Sequence, residues 1–469
     1  MASSSSSSSD PPPKRQKASS SGIPLTILAF NVNGLRAVWR AGDGDGAILK
    51  GLVRDQDPDV LFLSEIKVDE EALTSILPAA SSASSSSSSA SAAATSDIRG
   101  FFAPKAKKRA PTEEEAAAAA DSARLLPGYR QHFNHAEQKG YSGTAVFLRI
   151  GHPLLDRATV TFDGLAASLP EGVDATAADR ARLEGEGRLI TVDVDGLVLV
   201  HTYVPNVGRK MEKLDFRTRI WDAALFAYLR NLRNLRDLRS TGTTAGATGA
   251  TGATEGGAKG GAKGGAAKGV LWCGDLNVIR GEADQAVFMK KRNKAPGCSD
   301  AERASFGMLV GGIDPARAPT ESKPKTEKAR AALMEDFPQF AMQAVPGPFG
   351  EGERGGEGGD FVDVYRELHP YPIGGDGEGG GEGDGVEVKG EGKEGGGDGA
   401  GGDEGLTGLA ATPFTYWSMM GGGKRTAENG WRLDYFVLSR NMLGSVTRCF
   451  HLPHIKGSDH VPIGLELQL

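Results

Sequence analysis

Residues 189–203 read LITVDVDGLVLVHTY, and this stretch decides the fold class. Two apolar runs, Leu189–Val194 and Leu197–Tyr203, flank the pair Asp195-Gly196. A two-residue Asp-Gly spacer signals a tight hairpin, because the turn needs positive φ that glycine adopts freely. Antiparallel pairing is therefore expected, and a purely parallel doubly wound sheet is disfavoured. Working outward, Leu25–Val32, Val60–Glu65, Thr144–Ile150, Val270–Asp275, Arg432–Leu438 and Val461–Leu467 are short runs rich in Ile, Val, Leu and Phe that read as buried strands. Residues 211–239 predict a long helix, with Leu214, Trp221, Leu225, Tyr228, Leu232 and Leu235 recurring on one face. The arginines at its end, Arg230, Arg233, Arg236 and Arg239, read as a solvated face that suits a helix C-terminus.

Glycine and proline together make up 90 of the 469 residues, and the excess is clustered in stretches too polar to bury a core. A disordered tail is expected at 1–22, and flexible inserts near 79–124, 163–185, 240–268, 311–331, 346–359 and 373–410. The remaining 276 residues have ordinary apolar content and amount to one α/β domain spanning 23–469.

The formal charge of −6 argues at first against a nucleic-acid partner. Residues 374–405 alone contribute −8, however, so the rest of the chain carries +2. Cys273, Cys298 and Cys449 form no CxxC pair, which fits a reducing compartment without a zinc knuckle. No apolar run approaches a membrane span, so no membrane partner is expected. Basic clusters at 13–17 and 105–109 fit nuclear import, and the Ser-rich, acid-poor start fits a mitochondrial or chloroplast transit peptide as the alternative.

Polar residues interrupt the apolar runs at telling places. Asn31 follows LTILAF, Glu65 follows DVLFLS, Tyr203 and Asn206 follow LVLVHT, Asp275 and Asn277 follow VLWCG, and Asp459-His460 precede VPIGLEL. A carboxylate or amide beside a buried run is costly unless it is paired or liganded, so several such ends converging would make a site. The set offers oxygen ligands without thiolates, which suits Mg²⁺, and amides that can donate to phosphate without repelling charge. It points to metal-assisted attack of water on a phosphodiester. The absence of a Walker-type loop argues against nucleoside triphosphate hydrolysis.

The motifs FNVNGLRA (Phe30–Ala37), SEIK (Ser64–Lys67), GYSG (Gly140–Gly143), YVPNVGR (Tyr203–Arg209), CGDLNV (Cys273–Val278), GWRLDYF (Gly430–Phe436) and GSDH (Gly457–His460) resemble, in order, those of the exonuclease III-type apurinic/apyrimidinic endonucleases. GDLN and SDH are shared across the wider endonuclease/exonuclease/phosphatase superfamily, whereas NVNGLR, PNVGR and GWRLDY narrow the resemblance to its DNA-repair branch. The resemblance implies a four-layer α/β sandwich of two packed mixed sheets flanked by helices, with long low-complexity insertions and a site at one end. It implies that Glu65 ligates Mg²⁺, with Mn²⁺ able to substitute, and that Asn33 and Asp459 lie near the metal or at a second position. Asp275, Asn277 and His460 are implied as further metal ligands as well as catalytic groups. Asn31, Asn206 and Asn277 would hold the scissile phosphate and the attacking water, Tyr203 would steady charge on the phosphate, and Asp434 would orient His460. Either Asp275, placed first, or His460 would accept the proton. Tyr416 and Trp431 would line a pocket for the flipped sugar, with Arg209 over it and Met419 or Met420 as a wedge, while Trp417 reads as core.

The chain departs from the family where Ser64-Glu65-Ile66 stands in place of Gln-Glu-Thr, and only 293–297 loosely matches an Asn-rich phosphate-contacting loop. Leu28 stands where animal members carry a redox cysteine, so no redox role is expected for that strand. The implied function is Mg²⁺-dependent incision of double-stranded DNA 5′ to an abasic site by a monomer acting in base-excision repair, with 3′-exonuclease or 3′-phosphodiesterase activity as a companion. The alternative is another phosphodiesterase or phosphatase of the superfamily acting on lipid, inositol phosphate or RNA. A DNA-binding relative without activity is disfavoured by the intact Glu65, Asp275, Asn277 and His460.

Overall fold

The computed structural model describes residues 22–76, 121, 124–194, 196–240, 269–310, 360–369, 412–419 and 424–469. The expected tail, both basic clusters and most of the expected inserts lie outside these residues.

One sheet comprises β1 (Pro24–Asn31), β2 (Val60–Ser64), β3 (Tyr129–Asn134), β4 (Thr144–Arg149), β13 (Val446–His451) and β14 (Ile463–Gln468), in the order β13-β14-β1-β2-β4-β3. The other comprises β5 (Thr159–Thr161), β6 (Leu189–Val194), β7 (Leu197–Tyr203), β8 (Gly269–Asp275), β9 (Phe361–Asp363) and β12 (Asp434–Ser439), in the order β5-β6-β7-β8-β12-β9. A short ribbon pairs β10 (Tyr416–Trp417) with β11 (Gly430–Trp431). Each sheet has one parallel pair at its centre, β1 with β2 and β7 with β8, and antiparallel neighbours on both sides. The hairpin expected at Asp195-Gly196 joins β6 to β7, with Gly196 at φ 90°.

Both faces of the central strands are buried, which is why they read as continuous apolar runs and not as alternating ones. Leu25, Ile27 and Ala29 of β1 and Phe62 of β2 pack between the sheets against Leu197 and Leu199 of β7 and Leu271 of β8. Their alternate neighbours, Leu28 and Phe30, face outward onto α1 (Leu35–Arg40) and α2 (Ala47–Gln56) through Leu35, Val38, Leu49 and Leu52. On the far side Val198, Val200 and Trp272 meet Phe216, Ile220, Leu225 and Leu229. The result is the expected four layers, helix, sheet, sheet, helix.

Two details differ from the sequence reading. The long helix opens with a π-helical turn, Phe216–Trp221, before α5 (Asp222–Ser240), and Asp222 N donates to Arg217 O five residues back. Trp221 and Leu225 of the expected face are fully buried, Tyr228 and Leu232 pack against the same core while partly exposed, and Ile220, Ala224 and Leu229 widen the buried stripe. Residues 163–185, expected as a flexible insert, form a 3₁₀ turn at Ala166–Ser168 and α4 (Ala177–Gly185). Thr176 and Asp179 close a capping box there, and Leu165 and Leu183 enter the outer core. The Gly and Ala content hid a helix with only these few anchoring positions.

At the edge of the second sheet Arg432, wholly buried, is forked between two carboxylates. Its Nε and Nη2 donate to Asp284 at 2.9 Å each, and Nη1 and Nη2 donate to Asp363 at 3.0 and 2.7 Å. Arg366, on α8 (Val364–Leu368), adds a further bond to Asp284. Burial alone would raise the carboxyl of Asp284, but the charges of Arg432 and Arg366 outweigh it and hold it well below the usual range. This contribution is present above the unfolded pKa of a carboxyl and fades only as pH falls through the lowered folded value. Arg432→Met should therefore cost about 3–5 kcal/mol at neutral pH, because it leaves buried carboxylates short of their counter-charge. Denaturant melts should show that deficit shrinking between pH 7 and about 4, as protonation relieves the orphaned Asp284; a deficit independent of pH would mean lost packing and not lost charge is responsible.

Candidate active site

The strand ends singled out by sequence lie on one edge of the sandwich. In the first sheet Asn31 ends β1 opposite Ser64 at the end of β2, and in the second Asp275 at the end of β8 is flanked by Tyr203 and Asp434. The parallel pairs continue past their ends with the same contact, Val32 N to Ser64 O at 3.1 Å and Val204 N to Asp275 O at 2.9 Å. Beyond it the chain turns sharply, and Asn33, Glu65, Lys67 and Asn277 take φ of 46°, 58°, 52° and 49°. Asparagine tolerates that region, but at Glu65 and Lys67 it costs on the order of 1 kcal/mol each. The strain aims their side chains at one another.

Asp275 is the hub. It is 2 % exposed, and it accepts from Asn31 Nδ2 at 2.9 Å, from the Asn277 amide at 2.9 Å and from Asn277 Nδ2 at 3.3 Å. Burial raises its carboxyl to about 7, with the charge of Asp434 adding to the rise and His460 opposing it. His460 Nε2 lies 3.8 Å from Asp275 Oδ2, and its Nδ1 is 2.8 Å from Asp434 Oδ2. Burial disfavours the charged imidazole, yet Asp434 and Asp275 outweigh it and push His460 up to about 10. Asp434 is thus paired with His460, while Arg432 is taken up by Asp284 and Asp363. Asn206 joins the cluster by donating to Asn277 Oδ1 at 3.0 Å.

A second group of oxygens sits on the first sheet's side. Asn33 Nδ2 donates to Asp459 Oδ1 at 3.0 Å, and the Lys67 ammonium lies 2.5 Å from Asn33 Oδ1 and 3.0 Å from Glu65 Oε1. Glu65 and Asn33 therefore already converge on a cation, and an all-oxygen donor set of this kind fits a hard divalent ion. Asp275, Asp434 and His460 also bring three ligand atoms within 4.8 Å of one another, though these are engaged with each other. Tyr203 links the two sides: its buried phenol lies beside Glu65, and burial together with that carboxylate's charge pushes it well above its ordinary value. A phenol so placed stays protonated and donates.

Tyr416 packs at 4.8 Å over the His460 ring and pairs with Trp431, which sits against Ile279, Phe288, Cys298 and Leu433. Trp417 is core, as expected, with its indole N–H on Thr426 O at 2.8 Å. Arg209 and Met419 are exposed outside the hydrogen-bonded cluster, and Met420 lies outside the described residues. In the 293–297 loop Asn293 is occupied with Asp300, accepting from its amide at 2.8 Å and donating to Oδ2 at 2.9 Å.

Sequence reasoning gave no role to Lys67, Ser458 or Arg188. Ser458 Oγ donates to Asn31 O at 2.7 Å and fixes the turn before His460. Arg188, 3 % exposed, lies 4.6 Å over the Tyr203 ring, and donates to Tyr203 O at 3.0 Å and to the Tyr141 hydroxyl at 2.7 Å. Tyr141, Lys67 and Ser458 fall inside the GYSG, SEIK and GSDH motifs, so the signal was on the page; nothing local marked Arg188.

Three similarities bear on this edge. The chain is 27 % identical over 348 residues to the DNA-(apurinic or apyrimidinic site) endonuclease of Dictyostelium discoideum, covering 74 % of this chain and 58 % of that protein, so it spans less than two thirds of that relative. It is 22 % identical over 445 residues to an exodeoxyribonuclease of Bacillus subtilis, covering 95 % of this chain and all of that one. The solved structure of an AP endonuclease from Leishmania major superposes with a TM-score of 0.51 at 21 % identity, covering 95 % of this chain and 88 % of that one, and so shares the fold. Among the described residues no helix is long and apolar enough to cross a membrane. The profile of the Endonuclease/Exonuclease/phosphatase family matches residues 28–460, nearly the whole ordered chain, and the chain belongs to that family.

Proposed function

We propose that this chain is a Mg²⁺-dependent phosphodiesterase that incises double-stranded DNA on the 5′ side of an abasic site, with Mn²⁺ able to substitute. The observation that carries the reading is Asp275: a buried carboxylate raised to about 7, caged by Asn31, Asn277 and His460, and facing the Glu65 side of the same cleft. A base poised near neutrality is what deprotonating water requires. The names of the Dictyostelium and Bacillus relatives support DNA as substrate, with abasic incision and exonuclease action as its two forms.

In this scheme Glu65 would hold the metal with Asn33 and Asp459 beside it, and the bound ion would polarise a phosphoryl oxygen. Asp275 takes the proton of the attacking water. His460, held protonated by Asp434, would instead bring an imidazolium charge to the phosphate. Asn206 and Asn277 donate to phosphate oxygens without adding negative charge, and Tyr203, held protonated, donates one more bond. The P–O3′ bond breaks, the leaving O3′ takes up a proton from solvent, and 3′-hydroxyl and 5′-deoxyribose phosphate ends result. Trp431 and Tyr416 form an apolar wall suited to a sugar without a base, which leaves the helix at little stacking cost.

The deciding assay is a duplex carrying one tetrahydrofuran lesion, incubated with and without Mg²⁺. Cleavage immediately 5′ to the lesion and only with the metal is expected; an intact duplex alongside hydrolysis of a phosphoinositide or an RNA tail would instead support the superfamily alternative.

Glu65→Ala should lose activity at limiting Mg²⁺ and recover part of it at high Mg²⁺, since substrate phosphate still offers oxygen ligands. An unchanged Mg²⁺ titration would take Glu65 out of the metal site.

Trp431→Ala should raise cleavage at normal nucleotides relative to abasic sites while leaving the Mg²⁺ titration alone. Truncating a buried Trp costs about 3–5 kcal/mol, so the variant is first checked for a cooperative melt. Equal loss of both activities in a folded variant would make Trp431 structural.

A further inference from the structure

Arg425 stands between the glycine stretch Gly421–Gly423 and β11. Its guanidinium makes four hydrogen bonds, all to backbone carbonyls of one short loop. Nη1 donates to Pro453 O at 3.0 Å and Ile455 O at 2.6 Å, and Nη2 donates to Ser458 O at 2.7 Å and His460 O at 2.9 Å. The Trp417 ring lies 5.6 Å away on one face of the guanidinium.

The loop from 453 to 460 carries Asp459 and His460, yet it belongs to no strand and has no ladder of its own. Its other backbone support comes from the ribbon side, where Trp417 N donates to Asp459 O at 2.9 Å and Val461 N donates to Thr415 O at 2.8 Å, and from the first sheet through the Ser458 Oγ bond to Asn31 O. Three successive carbonyls, those of Ser458, Asp459 and His460, are thus satisfied alternately by Arg425, by β10 and by Arg425 again. A buried carbonyl left without a donor costs free energy comparable to a lost hydrogen bond. Four of the loop's carbonyls, within eight residues and partly screened from water, depend on one side chain. A planar fork of donors can serve four acceptors in fixed directions, whereas a lysine ammonium is a point charge with three rotating donors.

We infer that Arg425 is a positioning residue for the hydrolysis: it acts through the backbone of residues 453–460 to place Asp459 and His460 against Asp275 and the metal side of the cleft. It touches neither substrate nor reacting atoms. The inference rests on the reading of Asp459 and His460 as active-site groups.

The test compares Arg425→Lys and Arg425→Ala with the unaltered protein by two readouts. Amide hydrogen exchange, which needs no substrate, should show selective loss of protection at residues 453–460. On the lesion-bearing duplex kcat should fall on the order of ten- to a hundred-fold, the scale of misplacing a catalytic group by a fraction of an ångström to one ångström, with KM within about two-fold. Millimolar guanidinium should restore part of kcat in Arg425→Ala and none in Arg425→Lys, whose side chain fills the site. Leu52→Ala, in the outer helical layer, serves as a generally destabilised control with normal kcat. Unchanged protection at 453–460, or lost protection with kcat intact, would overturn the inference. Should the unaltered protein fail to cut the lesion, the functional reading falls, while the exchange data still decide whether Arg425 holds the loop.

Discussion

The hydrogen bond from Asn31 Nδ2 to Asp275 Oδ2, 2.9 Å long and joining residues 244 apart, is the contact on which the rest of the site depends. Asp275 lies at the end of a strand walled by apolar residues on both faces, and a carboxylate there is tolerable only with several donors turned onto it. The donors come from both sheets, Asn31 from the first and Asn277 from the second, and the His460 ring lies 3.8 Å off on the turn before the strand that returns to the first. The two sheets must therefore stack in one register, and the buried polar seam enforces it where apolar contact alone would allow sliding. His201 adds to the same seam. It is wholly buried between the sheets, its ring stacks 4.8 Å from Phe62, and its Nε2 meets Ser64 Oγ at 3.1 Å. Burial lowers its pKa to about 3, so it stays neutral and carries no charge into the core. Ser64, the position at which the chain departs from its relatives' usual motif, thereby gains a partner from the opposite sheet.

What could be read from sequence follows from burial. β1, β2, β7 and β8 are apolar on both faces, so they stood out as uninterrupted runs, and the polar residues at their ends stood out by contrast. β3 and β13, reading YRQHFN and VTRCFH, are edge strands with half-exposed positions, and charged or polar residues disguise them as loops. The helix preceding β8 is legible from its apolar repeat, and Trp221 and Leu225 are buried as that repeat predicts, but its opening π turn is invisible to a 3.6-residue period. The Arg432 network joins residues 148 and 69 positions apart, and no local pattern announces such a pairing. The same holds for Arg425 and Arg188, whose importance lies in carbonyls and rings supplied by distant segments. The carboxylates, amides and His460 were legible as a set because they fall in short motifs, while the side chains that hold them in place do not.

The shared strand pattern has a further consequence. Each sheet is an antiparallel frame around one parallel pair, and each pair ends in the same backbone contact followed by a left-handed turn. The halves nevertheless present different groups: the first sheet's turns carry Glu65 and Asn33 toward Lys67 and Asp459, and the second sheet's turn carries Asn277 against Asp275. A repeated scaffold thereby yields an asymmetric cleft.

The closure of the first sheet bears on how such a protein is born. β14 lies between β13 and β1, and Ile23 and Leu469 exchange both backbone hydrogen bonds at the end of that pairing, 2.7 and 3.0 Å long. A ribosome delivers β1 hundreds of residues before the strand that must lie beside it, so the early sheet waits with an open edge during synthesis, the stage at which long-range pairing is slow and aggregation-exposed. His460 arrives with that same late segment. A nascent or prematurely terminated chain would hold Glu65 and Asp275 without the imidazolium that completes the cleft, and would have no sheet on which to mount it. A cleft assembled in this order stays incomplete until β14 has closed the sheet that carries it.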